Sequence, residues 1–402
     1  MQVVVVGSGA REHALAWRLA RSPRLTELHA APGNPGIAAI GRCHPVRADD
    51  PDGLLALALT LDADLVVVGP EAPLVAGVAD VLRRNGIAVF GPGAEAARIE
   101  GSKSFAKDVM RAAGVPTAET LAVARPPCVV KADGLASGKG VFVCETRDEL
   151  EIALHAVRRY EGGVVIEELL EGREVSLFAI SDGRRAVPLG SAQDFKRIGD
   201  GDTGPNTGGM GAFSPVPAFG DVEELVQTIH QPVVDELARR GVPFVGCLFA
   251  GLIVTDSGPK VLEFNARFGD PETQVLMPRA GFDLLQLLGA AARGDLGEAD
   301  VTMDDEASVT VVLAAPDYPE RSDYTGAPIT GIAEAEATGA LVFHGGTAMR
   351  DGTLVTSGGR ILSVTGIGGT VAAARKHAYA AAGMIDFEGE RHRSDIAAAV
   401  VG

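Results

Sequence analysis

The first hundred residues alternate short apolar runs with stretches of helical periodicity, and this alternation limits the folds that the chain can adopt. Apolar runs occupy residues 2–6, 65–69 and 87–91, and helical patterns cover residues 12–20 and 75–84. Strands that alternate with helices pair in parallel, because each helix crosses back over the sheet before the next strand begins. We therefore predict a doubly wound α/β domain at the amino-terminal end.

From Cys128 onward the pattern changes to short β-runs separated by glycine turns. Such runs over residues 128–191 predict hairpins in a small antiparallel module. A helical pattern over residues 222–240 precedes a hairpin predicted for residues 247–268, and the chain after Gly294 is typical of a small α+β unit. The predicted fold class is therefore a multidomain protein with α/β and α+β parts.

Charge and cysteine usage limit the partners of the chain. The 402 residues contain 36 Lys and Arg against 53 Asp and Glu, a net charge of −17. Generic nucleic-acid binding depends on cations that neutralise phosphates, so we expect no nucleic-acid partner. No apolar run of about 18 residues predicts a membrane span, and the start has no recognisable secretory leader. The four cysteines lack metal-site spacing, and we expect a cytoplasmic protein with reduced thiols.

The segment VVKADGLASGKGVFV, residues 129–143, resembles a nucleotide-binding loop without matching the Walker type. A Walker loop has four residues between its glycines and then Lys with Ser or Thr, whereas here Gly134 and Gly138 enclose three residues and Gly140 replaces the hydroxyl residue. A β-run follows instead of a helix. We predict a hairpin lid over phosphates, with Lys131 on its first strand and Lys139 in its loop. The alternative is an ordinary glycine hairpin.

A polar strand is predicted in KVLEFNARFGDPE, residues 260–272. Because side chains alternate along a strand, Glu263, Asn265 and Arg267 share one face. A carboxylate and an amide oxygen suit Mg²⁺, which takes hard oxygen ligands and shares them with substrate phosphates. An adjacent arginine can stabilise charge on a transferring phosphoryl group. The alternative is an exposed amphipathic strand.

Three polar loops follow predicted strands near the amino terminus: GSGARE at 7–12, APGNPG at 31–36 and GPEAPL at 69–74. Ligands of open α/β sheets bind at the carboxyl ends of the strands, so these loops predict a site, although a tight turn explains each one alone. Glu12 stands where a dinucleotide fingerprint has its third glycine. The glycine-rich residues 199–215 are longer than a turn needs, which predicts a functional or a disordered segment.

Together these segments resemble the phosphoribosylamine-glycine ligases (glycinamide ribonucleotide synthetases) of the ATP-grasp superfamily. The resemblance extends over about residues 1–370 and rests on GSGAREHALAW, APGNPG, GPEAPL, GSKSFAKD, VVKADGLASGKGV, VVIEELLEG, DTGPNTGGMGAFSP and EFNARFGDPETQ. It implies an ATP-dependent ligase that joins glycine to 5-phosphoribosylamine in purine biosynthesis. It also implies a monomer that acts on small molecules.

The resemblance assigns roles residue by residue. It implies that ATP is bound by Lys103, Lys131, Gly134, Ser137, Gly138, Lys139, Gly140, Glu167, Glu168, Leu169 and Glu174. It implies that the other two substrates are bound by Gly9, Ala10, Arg11, Asn34, Gly69, Glu71, Asp194, Lys196, Pro205, Asn206 and Thr207. Glu263 and Asn265 are the implied ligands of Mg²⁺ or Mn²⁺, and Arg267 and Lys131 are the implied catalytic residues.

The resemblance also implies domain boundaries. These are a doubly wound substrate domain at 1–101, an ATP-grasp core at 102–117 and 189–298, a lid subdomain at 118–188 and a small α+β domain at 299–402. Two departures from the family are expected, because the chain is short between Thr117 and Cys128 and near residues 160–164. The strand 247–254 offers no acid, which leaves the number of metal ions open.

Three other functions stay open at the level of sequence. The amino-terminal G-x-G motif permits a nucleotide-dependent oxidoreductase, although Glu12 in place of a glycine opposes it. A non-catalytic nucleotide sensor on the same fold is opposed by the intact set of Glu263, Asn265 and Arg267. Another ATP-grasp ligase of purine metabolism, which joins a different carboxylate and amine, is the third.

Overall fold

A parallel sheet begins the chain in the computed structural model, which describes residues 1–135, 140–160, 162–297, 299 and 301–401. Its strands are β1 (Gln2–Gly7), β2 (Glu27–Pro32), β3 (Arg42–Cys43), β4 (Leu65–Val68) and β5 (Val89–Phe90), in the order β3-β2-β1-β4-β5. All four pairings are parallel. The central strands are buried on both faces because helices cover both sides. The prediction of a doubly wound domain is confirmed.

The helices of this part are α1 (Ala10–Leu19), α2 (Pro35–Ala38), α3 (Pro51–Thr60), α4 (Glu71–Val75), α5 (Val78–Arg84) and α6 (Ala94–Gly101). The next helix, α7 (Lys103–Ala113), is capped by Ser102, whose side chain accepts a hydrogen bond from the amide of Phe105 at 3.2 Å. This side-chain cap satisfies one of the free amides of the first turn. It therefore places Lys103 at the start of the helix.

The glycine-rich segment lies in a small antiparallel sheet. Its strands are β6 (Cys128–Ala132), β7 (Val141–Cys144) and β8 (Val164–Glu168), in the order β7-β6-β8. Helix α8 (Arg147–Ala156), followed by a 3₁₀ turn (Val157–Arg159), packs on one face and forms a core separate from the rest of the protein. Asp133, just after β6, accepts hydrogen bonds from Ser102 Oγ at 3.0 Å and Ser104 Oγ at 2.6 Å. The predicted hairpin is confirmed, and its first strand is attached to the start of α7.

The remaining strands are β9 (Arg173–Asp182), β10 (Ala186–Asp194), β11 (Arg197–Gly199), β12 (Thr203–Asn206), β13 (Gly211–Ser214), β14 (Val245–Thr255), β15 (Gly258–Asn265), β16 (Ala307–Ala314), β17 (Thr325–Pro328), β18 (Leu341–His344), β19 (Thr347–Arg350), β20 (Thr353–Ser357) and β21 (Arg360–Gly368). Eight of them form one antiparallel sheet, in the order β15-β14-β9-β10-β13-β16-β21-β18. The pair β11-β12 and the set β17-β20-β19 form two small sheets. The predicted hairpin of residues 247–268 is confirmed as β14-β15.

The remaining helices are α9 (Val222–Leu225), α10 (Gln231–Arg239), α11 (Thr273–Leu276), α12 (Leu284–Ala292), α13 (Ile332–Ala337) and α14 (Val371–Ala382). A π-helical turn (Val226–His230) joins α9 to α10, and 3₁₀ turns lie at Met277–Arg279 and Ala398–Val400. Within the described residues, no helix has both the length and the apolar character that a membrane crossing needs.

The large sheet runs across the boundary predicted at residue 298. Strand β13 pairs with β10 on one side and with β16 on the other. Residues 199–215, for which disorder was one alternative, contain β12 and β13 and are ordered. Within the range predicted as a lid, 118–188, the small sheet covers β6 to β8, while β9 pairs with β14 in the large sheet. The domain boundaries themselves stay a prediction.

Candidate active site

Two lysines, one on α7 and one on β6, share one carboxylate on β8. Lys107 lies four residues after Lys103, so both face the same side of α7. Lys107 Nζ lies 2.8 Å from Glu167 Oε1, and Lys131 Nζ lies 2.6 Å from Glu167 Oε2. The side chains of Lys107, Lys131 and Glu167 are buried. Burial lowers the pKa of Lys107, and Glu167 opposes that effect. Two buried cations with a single buried anion leave positive charge, which suits a phosphate ligand.

The polar strand β15 lies directly beside these lysines. Lys131 Nζ donates a hydrogen bond to the carbonyl oxygen of Leu262 at 3.0 Å, and Lys103 Nζ lies 3.8 Å from Glu263 Oε2. Burial favours the neutral acid at Glu263, but Lys103, Lys196 and the neighbouring cations outweigh it and lower the pKa to about 2. Glu263 is therefore a carboxylate at neutral pH.

Glu263 and the buried Asn265 fit a magnesium ion. Both offer oxygen atoms, which Mg²⁺ prefers, and Mg²⁺ usually takes its other ligands from water and substrate phosphates. In the part of the chain that the structure describes, no three His, Cys, Asp or Glu side chains form a metal-binding cluster. A magnesium ion held by Glu263 and Asn265 would take its remaining ligands from water and substrate phosphates.

Arg267 lies just beyond the end of β15 and contacts the amino-terminal domain. Its Nε donates to Glu71 Oε2 at 3.1 Å, and its Nη2 lies 3.2 Å from Glu100 Oε1. Burial favours the neutral form of Arg267, but Glu100 and Glu71 outweigh it and raise the pKa. Arg11 joins the same cluster, with Nη1 4.0 Å from Glu71 Oε2. The predicted residues Arg11, Glu71 and Arg267 are therefore neighbours.

Asp194 and Lys196, at the end of β10, form a second charged group. Lys196 Nζ lies 2.5 Å from Glu174 Oε2. Burial raises the pKa of Asp194 to about 7, in spite of the opposing effect of Lys196. The pKa of Lys196 is raised by Asp194, Glu174 and Glu263, which together outweigh burial. Because the charge of Glu263 contributes to the raised pKa of Lys196, this charged group interacts electrostatically with the polar strand.

A cavity of about 470 Å³ lies between the first loops and the carboxyl-terminal part of the chain. Its size is within the usual range for small-molecule sites. The predicted residues Gly9, Ala10 and Asn34 line it, and so do Asp270, Tyr318, Thr347, Arg360 and Ser363. Arg360 Nη2 lies 3.0 Å from Asp270 Oδ2. The cavity thus combines a guanidinium, several hydroxyls and the amino-terminal end of α1, which are all groups that bind phosphate.

Glu12 explains why the first glycine loop is not a dinucleotide fingerprint. Its Oε2 accepts the amide hydrogen of Gly9 at 2.7 Å, which caps α1 from within the chain. A Cβ atom at Gly69 would lie 2.1 Å from Glu12 Oε1, and one at Gly7 would lie 2.6 Å from Glu12 Cγ. The glycines therefore accommodate the glutamate at a position where a dinucleotide fingerprint has a glycine for close packing of the helix on the strand.

The other predicted residues are placed as follows. Glu168 accepts from the amide of Glu119 at 2.9 Å, and its Oε1 lies 3.2 Å from Lys260 Nζ. Thr207 Oγ1 donates to the carbonyl oxygen of Lys196 at 2.8 Å. Gly134 has a φ of 152°, and the carbonyl oxygen of Gly140 accepts a hydrogen bond from the amide of Ala132 at 2.8 Å. Leu169 and Asn206 are half-buried, and Pro205 is exposed. Ser137, Gly138 and Lys139 lie outside the described residues. All these assignments stay predictions.

Sequence reasoning missed several residues of the site. Lys107 could have been found, because its spacing of four from Lys103 in GSKSFAKD predicts a shared helix face. Asp270 follows the polar strand closely and was also within reach. Glu100 and Arg360 carry no local signal, because each meets its partner only through the tertiary fold.

The fold and the site together define an ATP-dependent ligase of the ATP-grasp class. Residues 1–100, 101–273 and 308–399 match the N domain, the ATP-grasp (A) domain and the C domain of phosphoribosylglycinamide synthetase. The chain belongs to the phosphoribosylglycinamide synthetase family. The resemblance predicted from the motifs is confirmed.

Relatives of known name agree with this assignment. The chain is 52% identical to the phosphoribosylamine-glycine ligase of Streptomyces coelicolor over 100% of both chains, and 49% identical to that of Mesorhizobium japonicum over 98% of this chain and 97% of the relative. The crystal structure of phosphoribosylamine-glycine ligase from Thermotoga maritima matches with a TM-score of 0.85 and 34% identity, over 98% of this chain and 100% of that one. The Streptomyces alignment spans 421 positions against 402 residues, so this chain lacks residues that the relative has.

Proposed function

We propose that this protein joins glycine to 5-phosphoribosylamine with conversion of ATP to ADP and phosphate, and so forms glycinamide ribonucleotide for purine biosynthesis. One observation carries the proposal. The short segment 263–270 bears Glu263 and Asn265, then Arg267, and then Asp270 in the wall of the cavity. The residues proposed to act on ATP and a residue of the cavity proposed for the amine substrate therefore lie on one short continuous segment of the chain. The names of the relatives support the choice of substrates.

The first step in this proposal activates glycine. A carboxylate oxygen of glycine attacks the γ-phosphorus of ATP, the bond from that phosphorus to the β-phosphate oxygen breaks, and glycyl phosphate and ADP form. Lys131 and Arg267 stabilise the negative charge on the transferring group, and this positioned charge is the main source of catalysis in phosphoryl transfer. Glu263 and Asn265 would hold Mg²⁺ or Mn²⁺, which neutralises phosphate charge when it is bound.

The second step forms the amide bond. The amine of 5-phosphoribosylamine attacks the carbonyl carbon of glycyl phosphate, the bond from that carbon to the phosphate oxygen breaks, phosphate leaves, and the amine gives up its proton to water. Arg360 and the first amides of α1 hold the phosphate of the ribosyl substrate in the 470 Å³ cavity. This proposal is supported by the charge of Arg360 and by the hydroxyl groups around it. Fixing both reactants in place supplies most of the remaining rate enhancement.

The test is phosphate release from ATP with each substrate omitted in turn. We expect full release only with glycine and the amine together, and positional isotope exchange within ATP when glycine alone is added. Release that does not depend on glycine would contradict the proposed reaction. If the complete reaction proceeds but glycine alone causes no isotope exchange in ATP, the formation of glycyl phosphate before the amine reacts would be contradicted. Comparing Mg²⁺ with Mn²⁺ in the same assay identifies the preferred ion.

The monomeric state and the cytoplasmic location are part of the same proposal. The first is what the resemblance to the family implies, and the second is an expectation from the amino-acid sequence. Size-exclusion chromatography with light scattering tests the first, and cell fractionation tests the second. A dimer mass or a membrane-associated fraction would contradict them.

A further inference from the structure

Glu100 connects the amino-terminal domain to the residues that follow the polar strand β15. It is the last but one residue of α6, and its side chain is buried. Its Oε2 accepts the amide hydrogen of Ala266 at 2.8 Å, and its Oε1 lies 3.2 Å from Arg267 Nη2. One carboxylate thus holds both the backbone beside Arg267 and the guanidinium group of Arg267.

We propose that Glu100 is a positioning residue for the ligase reaction, which acts by fixing Arg267 relative to Asn265. The inference rests on the function proposed above. It adds a residue outside the ATP-grasp core to the set that determines the rate of phosphoryl transfer.

The course of the backbone supports this role. The pairing of β15 with β14 ends at Asn265, opposite Phe249. The next amide hydrogen, that of Ala266, lies beyond this pairing and is donated to Glu100 instead. Without this acceptor, a buried amide would lose its hydrogen bond at the point where the chain turns from Asn265 to Arg267.

The donors of Arg267 support it as well. A guanidinium has five N–H groups. Nε donates one to Glu71 and Nη1 donates one to the carbonyl oxygen of Phe268 at 3.1 Å, while Nη2 forms an ion pair with Glu100 at 3.2 Å. With respect to the described residues, the N–H groups of Nη2 and one N–H of Nη1 donate no hydrogen bond to the protein. Because two hydrogen bonds and one ion pair on different atoms fix the plane of the group, the direction of these remaining donors is fixed too.

The role is geometric and differs from a simple effect of charge. Two carboxylates already face one guanidinium, so removing the charge of Glu100 makes the surroundings of Arg267 more positive. If charge alone mattered, this change would favour binding of a phosphoryl group. If orientation matters, the same change lowers the rate. The two explanations therefore predict opposite signs.

The experiment compares Glu100→Gln, Arg267→Lys and the double variant in the phosphate-release assay with glycine and the amine. We expect Glu100→Gln to lower kcat on the order of 10- to 100-fold and to leave the KM for ATP within about twofold, since small misplacements of catalytic groups cost this much. The double variant is expected to match Arg267→Lys alone, because Glu100 acts through Arg267.

Glu236→Gln is the matched control. Glu236 is also a carboxylate of low exposure that faces two cations, Arg239 at 2.7 Å and Arg240 at 2.6 Å, but it lies on α10 and its partners follow it in the chain by three and four residues. We expect its kcat to equal that of the unmodified protein. Thermal unfolding of every variant separates misfolding from a change in rate. Glu100→Asp keeps the charge on a shorter side chain, and we expect it to fold and to show the same fall in kcat as Glu100→Gln.

Three outcomes would overturn the inference: an unchanged or raised kcat in Glu100→Gln, additive effects in the double variant, or full activity of Glu100→Asp. Failure of the proposed function is distinguishable from all three. In that case the unmodified protein itself shows no release of phosphate that depends on glycine.

Discussion

The buried carboxylate of Glu167 offers the sharpest test of the electrostatics of the site. Its oxygens lie 2.8 Å from Lys107 Nζ and 2.6 Å from Lys131 Nζ. At an effective dielectric constant of about 20, each contact has a Coulomb energy of about 6 kcal/mol. Desolvation of the charges offsets most of this, and removing one partner from a buried ion pair costs about 3–5 kcal/mol in practice. We expect Glu167→Gln to lower the free energy of unfolding by that amount.

Urea unfolding followed by circular dichroism measures the change. A shift of the midpoint with an unchanged slope reports on stability alone. Glu236→Gln serves again as the control, because Glu236 also pairs with two cations, but these are 71% exposed for Arg239 and 27% exposed for Arg240, against 7% for Lys107 and for Lys131. Exposed pairs contribute about 0–1 kcal/mol, so the control is expected to lose no more than that. Equal losses in the two variants, or a loss below about 1 kcal/mol in Glu167→Gln, would refute the argument that burial makes the difference.

Three further predictions concern single substitutions. Glu263→Gln is expected to reduce metal-dependent phosphate release at least about 100-fold in a protein that still folds, and retained activity would remove Glu263 from the set of ligands. Arg360→Met is expected to raise the KM for the phosphoribosyl substrate about 10- to 100-fold, because a charge-assisted hydrogen bond to its phosphate is lost. Steady-state kinetics should show the KM for ATP unchanged. In the unfolded chain Asp194 is ionised above about pH 4. In the folded protein burial raises its pKa to about 7, so the folded state holds this proton to higher pH. The ionisation of Asp194 therefore lowers the free energy of unfolding as the pH rises. The stability gained in Asp194→Asn should therefore be larger at pH 8 than at pH 5, and an equal gain at both values would contradict this pKa.

Much of the fold follows from local patterns. The parallel sheet of the first domain was predictable because alternation of strand and helix leaves few ways to connect them. The β6-β7 hairpin was predictable because two β-runs flank one glycine-rich loop. The pair Glu263 and Asn265 was predictable because a strand places every second side chain on the same face. In each case the residues that determine the feature are close together in the chain.

The domain division was harder to obtain. The composition changes after residue 294, which by itself indicates a separate carboxyl-terminal unit. In the structure, β13 pairs with both β10 and β16, so one sheet serves both parts. A change in composition reports on the surface and the core of a segment, and it contains no information about which distant strand completes a sheet.

The sequence by itself determined which segments are strands, helices and glycine loops, and through its motifs it determined the family. Only the tertiary structure decided which charges face each other. Glu100 and Ala266 are 166 positions apart, and Asp270 and Arg360 are 90 apart. Their pairing depends on the packing of whole elements, because side chains meet across a core only after the backbone has brought the elements together. Periodicity acts over a few residues, so it cannot report on such contacts.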